Sequence, residues 1–257
     1  MYQTIKYEVK NLVGWITMDR PDKLNAFTEV MNKEMIKVLR EAERDANVRC
    51  IVITGAGRAF CSGQDLVDVD ESTDHAEFLR TRYNPLIEKI AGIEKPIIAA
   101  VNGVAAGAGM SLALACDFRI ASEKASFIEA FIHIGLIPDS GSLYYLPRIV
   151  GHAKAVELAI LGEKISADEA LSLGLITKKV TVEEWDNEIT KFAERLANMP
   201  TKAIGLIKRY LYESSTATLT EMLEKEAYGQ RTAGLSKDHR EGVQAFIEKR
   251  RPEFTGE

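Results

Sequence analysis

An α/β core followed by a helical C-terminal region is the fold class that this 257-residue sequence predicts. Three observations predict it. Strand and helix patterns alternate as far as Ile128, strand signals nearly vanish after Gly151, and the last quarter is a succession of amphipathic helical patterns.

Residues 2–9 alternate, with Ile5, Tyr7 and Val9 on one face, and Val13–Met18 follows across Asn11 as a hairpin partner. From Phe27 the apolar period becomes that of a helix, with Val30, Met31, Met35, Val38, Leu39 and Ala42 in one stripe running to about Asn47. Cys50–Thr54 is a short buried strand. The alternation returns with a strand at Pro96–Val101, a helix at Gly107–Ala115, and strands at Phe118–Ala121 and Ser126–Ile128. Ser166 and Glu169 form a capping box before a helix at Asp168–Leu173. Helical patterns then cover Val182–Asn198, Pro200–Tyr212, Leu219–Thr232 and Ser236–Lys249. These last helices are long relative to the core they could cover, so packing on a neighbouring subunit is expected.

Composition bounds the function. With 46% hydrophobic and 28% charged residues, 18 Gly and 7 Pro, the chain is an ordinary globular one, which excludes disorder, collagen and coiled coil. The 33 basic and 38 acidic residues leave a net charge of −5, and the basic ones are scattered, so neither nucleic acid nor a membrane is an expected partner. The N-terminus lacks a basic stretch followed by an apolar one, and no apolar run approaches a bilayer span; a cytoplasmic protein is expected. Cys50, Cys61 and Cys116 are odd in number and lack Cys-x-x-Cys spacing, so they are read as reduced thiols, with no metal and no disulfide framework.

Three segments could carry chemistry. Arg58-Ala-Phe-Cys-Ser-Gly-Gln-Asp-Leu66 follows a buried strand, and Gly63 permits a turn that points the next amide into open space; taken alone, the segment reads first as a strand-to-helix loop in which Asp65 caps a helix. In Ala100–Met110 small residues lead into a helix whose first N–H groups suit an oxyanion, although a Gly/Ala stretch also serves tight packing. The glycines at 103, 107 and 109 do not spell the dinucleotide fingerprint and no Walker lysine follows, so NAD and ATP readings fall away. In Ile134–Ser142, Asp139 stands among Leu136, Ile137 and Leu143, which would desolvate it toward a usable base; simple capping of a helix at Ser140–Leu146 is the competing reading. Glu129, at a strand end near the pocket, reads as a solvated acid, with a second catalytic acid as the competing reading; His133 reads as structural, with assistance to catalysis left open, and Asp117 reads as structural.

In their order and separations, together with Arg20-Pro-Asp-Lys-Leu-Asn-Ala26, Asn102-Gly103 and Glu241–Arg250, these segments resemble the crotonase family, the enoyl-CoA hydratases and isomerases. The resemblance implies a spiral of ββα units over residues 1–195 and a helical trimerisation region over 196–257, in a trimer or a dimer of trimers. It implies an acyl-CoA thioester as substrate and no separate cofactor, with the backbone N–H groups of Gln64 and Ala108 holding the thioester oxygen. Each such donor is worth on the order of 3 kcal/mol. Lys23, Leu24 and Ala26 match the loop beside the adenine and pantetheine. Ser62, Gly63, Asp65, Leu66, Val104, Gly107, Phe131 and Pro138 complete the expected acyl-CoA-binding set, and Lys249 and Arg250 are placed near CoA phosphates.

The hydratases of this family carry two glutamates that handle water. Here the first position falls on Ser111 and the second on Phe131, neither of which can replace a carboxylate. The acid at Asp139, with Tyr83-Asn-Pro-Leu86, Val104–Gly109 and Gly135–Asp139, resembles instead the isomerase branch, in particular the ring-epoxide isomerases of phenylacetyl-CoA breakdown. Asp139 is then the acid-base residue that moves a proton along the acyl chain. Aroyl-CoA dehalogenases use an aspartate in this neighbourhood as a nucleophile, but a supporting tryptophan is lacking, because Trp15 and Trp185 lie in other segments. Enoyl-CoA hydration and a non-catalytic acyl-CoA-binding subunit are the competing functions.

Overall fold

The chain opens on an antiparallel hairpin of β1 (Ile5–Lys10) and β2 (Val13–Met18), turned by Asn11 and Leu12, both in left-handed backbone at φ 50° and 63°. The structure, a computed structural model, describes residues 2–66 and 74–257. Along β1 burial fades: Ile5 is buried, Tyr7 half-buried and Val9 exposed.

Helix α1 (Glu29–Arg44) starts two residues later than the periodicity suggests. Phe27 has its backbone committed elsewhere, pairing as a parallel bridge with Gln64, and Thr28 becomes the N-cap, its hydroxyl accepting from the Met31 N–H at 3.3 Å. Met31, Met35, Val38, Leu39 and Ala42 are buried as expected, but Val30 is exposed. At 100° per residue it lies about a third of a turn from the centre of that stripe.

Three strand pairs then build the core: β3 (Cys50–Gly55) with β4 (Ala59–Cys61), β5 (Ile97–Val101) with β6 (Val104–Ala106), and β7 (Phe118–Ser122) with β8 (Ser126–Ile128). The first strand of each pair joins a six-stranded sheet ordered β1-β2-β3-β5-β7-β10, closed by β10 (Lys178–Val180). The second joins a four-stranded sheet ordered β4-β6-β8-β9, closed by β9 (Ile165–Ser166). Successive pairs stack in parallel in both sheets, which is the expected spiral. Ala59–Cys61 and Val104–Ala106, read from sequence as loop and linker, are strands of the smaller sheet.

The larger sheet is covered on both faces, as parallel sheets generally are. Ile51, Ile53, Ile97 and Ala99 belong to the core cluster that takes in the buried stripe of α1, while Cys50, Val52, Ile98 and Ala100 pack with Ile189, Ala193 and Leu196 of α8 (Trp185–Ala197). The boundary drawn at residue 195 falls inside this helix. Between β4 and Asn102 run α2 (His75–Phe78), a π-helical turn at Leu79–Tyr83 and α3 (Asn84–Gly92), for which the sequence reading has no helix. Helix α4 (Ala108–Ala115) is buried at every position. It has no polar face because strand Ala59–Cys61 lies against it: a Cβ on Gly109 would meet the Cys61 carbonyl oxygen at 2.2 Å.

Next come α5 (Ser142–Val150), α6 (His152–Leu161) and α7 (Ala167–Ser172), the last with the Ser166–Glu169 capping box. The C-terminal helices α9 (Thr201–Glu213), α10 (Leu219–Gly234) and α11 (Lys237–Glu248) follow within one or two residues of their predicted bounds. Lys208 fastens α9 to the core. Its ammonium donates to the Ile93 and Lys95 carbonyls and pairs with Asp117 at 2.6 Å, which gives Asp117 its structural role. No helix among the described residues is long and apolar enough to cross a membrane.

Candidate active site

The two expected oxyanion donors meet where the first two repeats touch. Phe27 N–H donates to the Gly63 carbonyl at 2.7 Å, and Asp65 N–H donates to the Phe27 carbonyl at 2.9 Å. In this parallel pattern Gln64, between the two bonded residues, directs its own N–H away from Phe27. Gly63 makes the turn at φ 97°, and a Cβ there would lie 3.0 Å from the Ala106 carbonyl oxygen and 3.6 Å from the Ala108 nitrogen. Ala108 begins α4, so its N–H is among those without an acceptor inside the helix, and the positive end of the helix dipole reinforces it. Gly107, at φ 49°, precedes it, and the buried Phe131 ring would lie 3.8 Å from a Cβ placed on Gly107.

Asp139 sits half-buried on the loop before α5, and desolvation pushes its carboxyl above the usual range, against the lowering effects of the Ser140 hydroxyl and the His75 charge. It does not cap the following helix. That helix begins at Ser142 behind Gly141, and the Asp139 carboxylate accepts instead from Ser140 Oγ at 2.7 Å. Its backbone carbonyl is held twice, by Ser142 N–H at 2.9 Å and by the buried Ser111 hydroxyl of α4 at 3.0 Å. Ser111 therefore anchors the Asp139 loop to α4.

Tyr83 joins the two halves. Its buried hydroxyl donates to Gln64 Oε1 at 2.5 Å, and burial, with Cys61 and the Asp139 charge nearby, holds the phenol well above its usual range. Glu129 departs from the sequence reading. It is not solvated but 1% exposed, because Ser126–Ile128 carries its alternation one residue further, with Phe127 and Glu129 both turned inward. Its Oε1 accepts from Ser142 Oγ at 2.5 Å, and burial lifts its carboxyl to about 7, aided by the Asp139 charge. Neither Tyr83 nor Ser142 is identified as a site residue in the sequence; that strand parity at Phe127 is the signal that could have found Glu129.

The expected CoA-side loop lies against the same turn. Ser62 N–H donates to the Leu24 carbonyl at 3.0 Å, and Arg20 reaches both the Ala26 carbonyl and, at 2.9 Å, Asp65. Asp65 is thus an ion-pair partner, and the helix it was expected to cap falls on residues outside those described. Leu24 takes left-handed backbone, Ala26 is buried, and Lys23 and Leu66 are exposed. Val104 is half-buried in β6 and Pro138 is buried beside Asp139. His133 accepts its structural reading, with Nε2 2.9 Å from the Gly162 carbonyl oxygen. Arg250, expected near CoA phosphates, is held by Glu241 and Glu248 at 2.6 Å each, while Lys249 ends α11 in left-handed backbone. The three cysteines are free and buried.

Paired strands feeding two sheets, with amides converging at the head of a buried helix, define the crotonase fold. The profile of the enoyl-CoA hydratase/isomerase family matches residues 8–257, and the chain belongs to that family. It is 44% identical over 261 residues to a 1,2-epoxyphenylacetyl-CoA isomerase of Escherichia coli K12, with all of both chains covered. It is also 44% identical over 256 residues to a probable enoyl-CoA hydratase of Rhodobacter capsulatus, covering 99% of each. The solved enoyl-CoA hydratase of Bacillus anthracis superposes with a TM-score of 0.93 at 33% identity, covering 99% of this chain and 100% of that one.

Proposed function

We propose that the protein is an acyl-CoA isomerase in which Asp139 moves a proton between carbons of the acyl chain. Asp139 takes a proton from the carbon next to the thioester or from its vinylogue, and the C–H electron pair passes into the thioester, making an enolate oxygen. The N–H groups of Gln64 and Ala108 hold that oxygen. As the enolate collapses, protonated Asp139 returns its proton to a different carbon; no water is added and no redox partner is needed. For a ring-1,2-epoxide substrate the C–C bond shared by the epoxide and the ring breaks while both C–O bonds stay, giving a seven-membered oxepin, and Asp139 carries the side-chain proton to a ring carbon.

The observation that carries this reading is the desolvated Asp139 carboxyl, fastened by Ser111 to the helix that presents Ala108. A half-buried carboxyl held above its usual range suits a group that must both accept and return a proton. Ser111 and Phe131, at the two positions where hydratases of the family carry glutamate, supply no second acid for water. The segments around Leu24–Ala26, Ser62–Leu66 and Val104 form the CoA-side wall, with Gly107, Phe131 and Pro138 on the acyl side. The exposed apolar side chains of the last helices, among them Leu211, Leu219, Leu235 and Phe246, support a trimer or a dimer of trimers.

Mass spectrometry of products from 3-enoyl-CoA, crotonyl-CoA and a ring-1,2-epoxyphenylacetyl-CoA tests the function. The expected products are isomers of unchanged mass, with crotonyl-CoA left intact. Rapid gain of one water by crotonyl-CoA would favour the hydratase reading instead.

A further inference from the structure

Glu129 is a second buried acid that the reaction above does not use. It lies one residue beyond β8, 1% exposed, and among the described residues its Oε2 has no hydrogen-bond partner. A carboxylate with an empty oxygen in a water-excluded pocket is costly unless it keeps a proton or shares one. Ser142 connects it to the catalytic loop: its hydroxyl donates to Glu129 Oε1 at 2.5 Å, and its N–H donates to the Asp139 carbonyl at 2.9 Å. One residue at the start of α5 therefore holds both acids.

We propose that Glu129 is a positioning residue for Asp139: through Ser142 it fixes the Asp139 loop, and as a second carboxyl in the same pocket it keeps its proton while Asp139 is ionised. The inference rests on the reading of Asp139 as the acid-base residue. An ionised Asp139 acts on Glu129 as a like charge and so favours its protonated form. Asp139 is the better solvated member and is also stabilised as an anion by Ser140 and by His75 of α2, so it ionises first. Glu129 has the Ser142 hydroxyl and the Asp139 charge acting on it, and its proton leaves close to pH 7. Tyr83, from the π-helical turn, faces Asp139 and stays a neutral phenol throughout. Burial keeps Glu129 protonated and the Asp139 charge adds to this, so below about pH 7 the two carboxyls together carry at most one charge through the cycle.

Two measurements on the full-length enzyme test this. Difference infrared spectroscopy should show a protonated buried carboxyl that loses its proton close to pH 7. The band should be absent in Glu129→Gln, and in Asp139→Asn it should titrate at lower pH, because the neighbouring charge is gone. In kinetics, Glu129→Gln should remove the matching inflection from the pH profile of kcat/KM and lower kcat with KM unchanged; Ser142→Ala should move the inflection without abolishing it. A band that survives Glu129→Gln, or that titrates at one pH in wild type and Asp139→Asn alike, overturns the pairing. So does a Glu129→Gln profile superimposable on wild type. Should Glu129→Gln not fold, the Asp139→Asn titration decides alone. An Asp139→Asn enzyme as fast as wild type refutes the catalytic reading, whereas an uncoupled titration refutes the pairing alone.

Discussion

Gly63 and Ala108 approach so closely that the Cβ which Gly63 lacks would lie 3.6 Å from the Ala108 nitrogen and 3.0 Å from the Ala106 carbonyl oxygen. Two amides from different repeats are thereby brought to one point, where an oxyanion can use both. Gly63→Ala adds that carbon at a φ of 97° that L side chains rarely adopt, so the turn must shift. Loss of alignment of one donor should lower kcat by about a hundredfold. Steady-state rates on 3-enoyl-CoA check it, with circular dichroism as a control for folding; an undiminished kcat would put the oxyanion elsewhere.

Ser111→Ala removes the hydroxyl that bridges α4 to the Asp139 carbonyl but leaves the Ser142 N–H on that carbonyl. One buried hydrogen bond is lost while its acceptor keeps a partner, so the cost is about 1 kcal/mol of stability. Turnover should fall by a few fold as Asp139 loosens. Chemical denaturation and kinetics on the same preparation read both, and an effect on neither would mean that Ser111 does not anchor the acid.

The buried Glu129 gives the fold a pH dependence of known sign. Its folded carboxyl titrates at about 7 against an ordinary value of 4.5, so between these limits the native state holds a proton that the unfolded chain has released. Stability therefore falls as pH rises through that window, by on the order of 3 kcal/mol in all, and is level above it. Glu129→Gln should flatten this slope. Urea midpoints measured across the window test it, and a slope equal in both proteins would contradict the burial of a titrating Glu129.

Much of this was legible in the sequence. The alternating strand and helix patterns, the capping box at Ser166 and the C-terminal helices need only local periodicity, and the structure keeps them within a few residues. The spiral itself was not visible in the pattern, because the second strand of each pair, such as Ala59–Cys61 or Val104–Ala106, is three residues long and too short to show a period. The resemblance to the family supplied it. Helix Asn84–Gly92, behind a π-helical turn, was missed for a similar reason: Pro85 and Gly92 punctuate a short segment. In the site, the Gly63 turn announces itself locally; Asp139 is desolvated as expected, but not by the apolar neighbours in its own segment, because Ile137 and Leu143 turn out to be exposed. The Tyr83–Gln64 and Glu129–Ser142 contacts join residues 19 and 13 positions apart through the tertiary fold, so no spacing rule reveals them.

Lys208 is the clearest link between α9 and the core. Lys208→Met leaves Asp117, whose carboxyl burial already raises, without its cation, and frees the Ile93 and Lys95 carbonyls. Because both side chains retain some solvent, the cost should stay below that of a fully buried pair, at about 2 kcal/mol. For a chain of this size that lowers the thermal midpoint by roughly 5 °C. Calorimetry decides it, and an unchanged midpoint would deny Lys208 this fastening role.

The rate of isomerisation by Asp139→Asn, measured beside its affinity for an acyl-CoA, bears most directly on the central claim. The variant keeps the shape of the side chain and the backbone bonds to Ser111 and Ser142 but cannot accept the proton. Turnover should drop by about 10²–10⁴, the range for a lost general acid-base group, while binding of the thioester stays near that of wild type. Isomerisation at the wild-type rate by a folded Asp139→Asn enzyme would contradict the account.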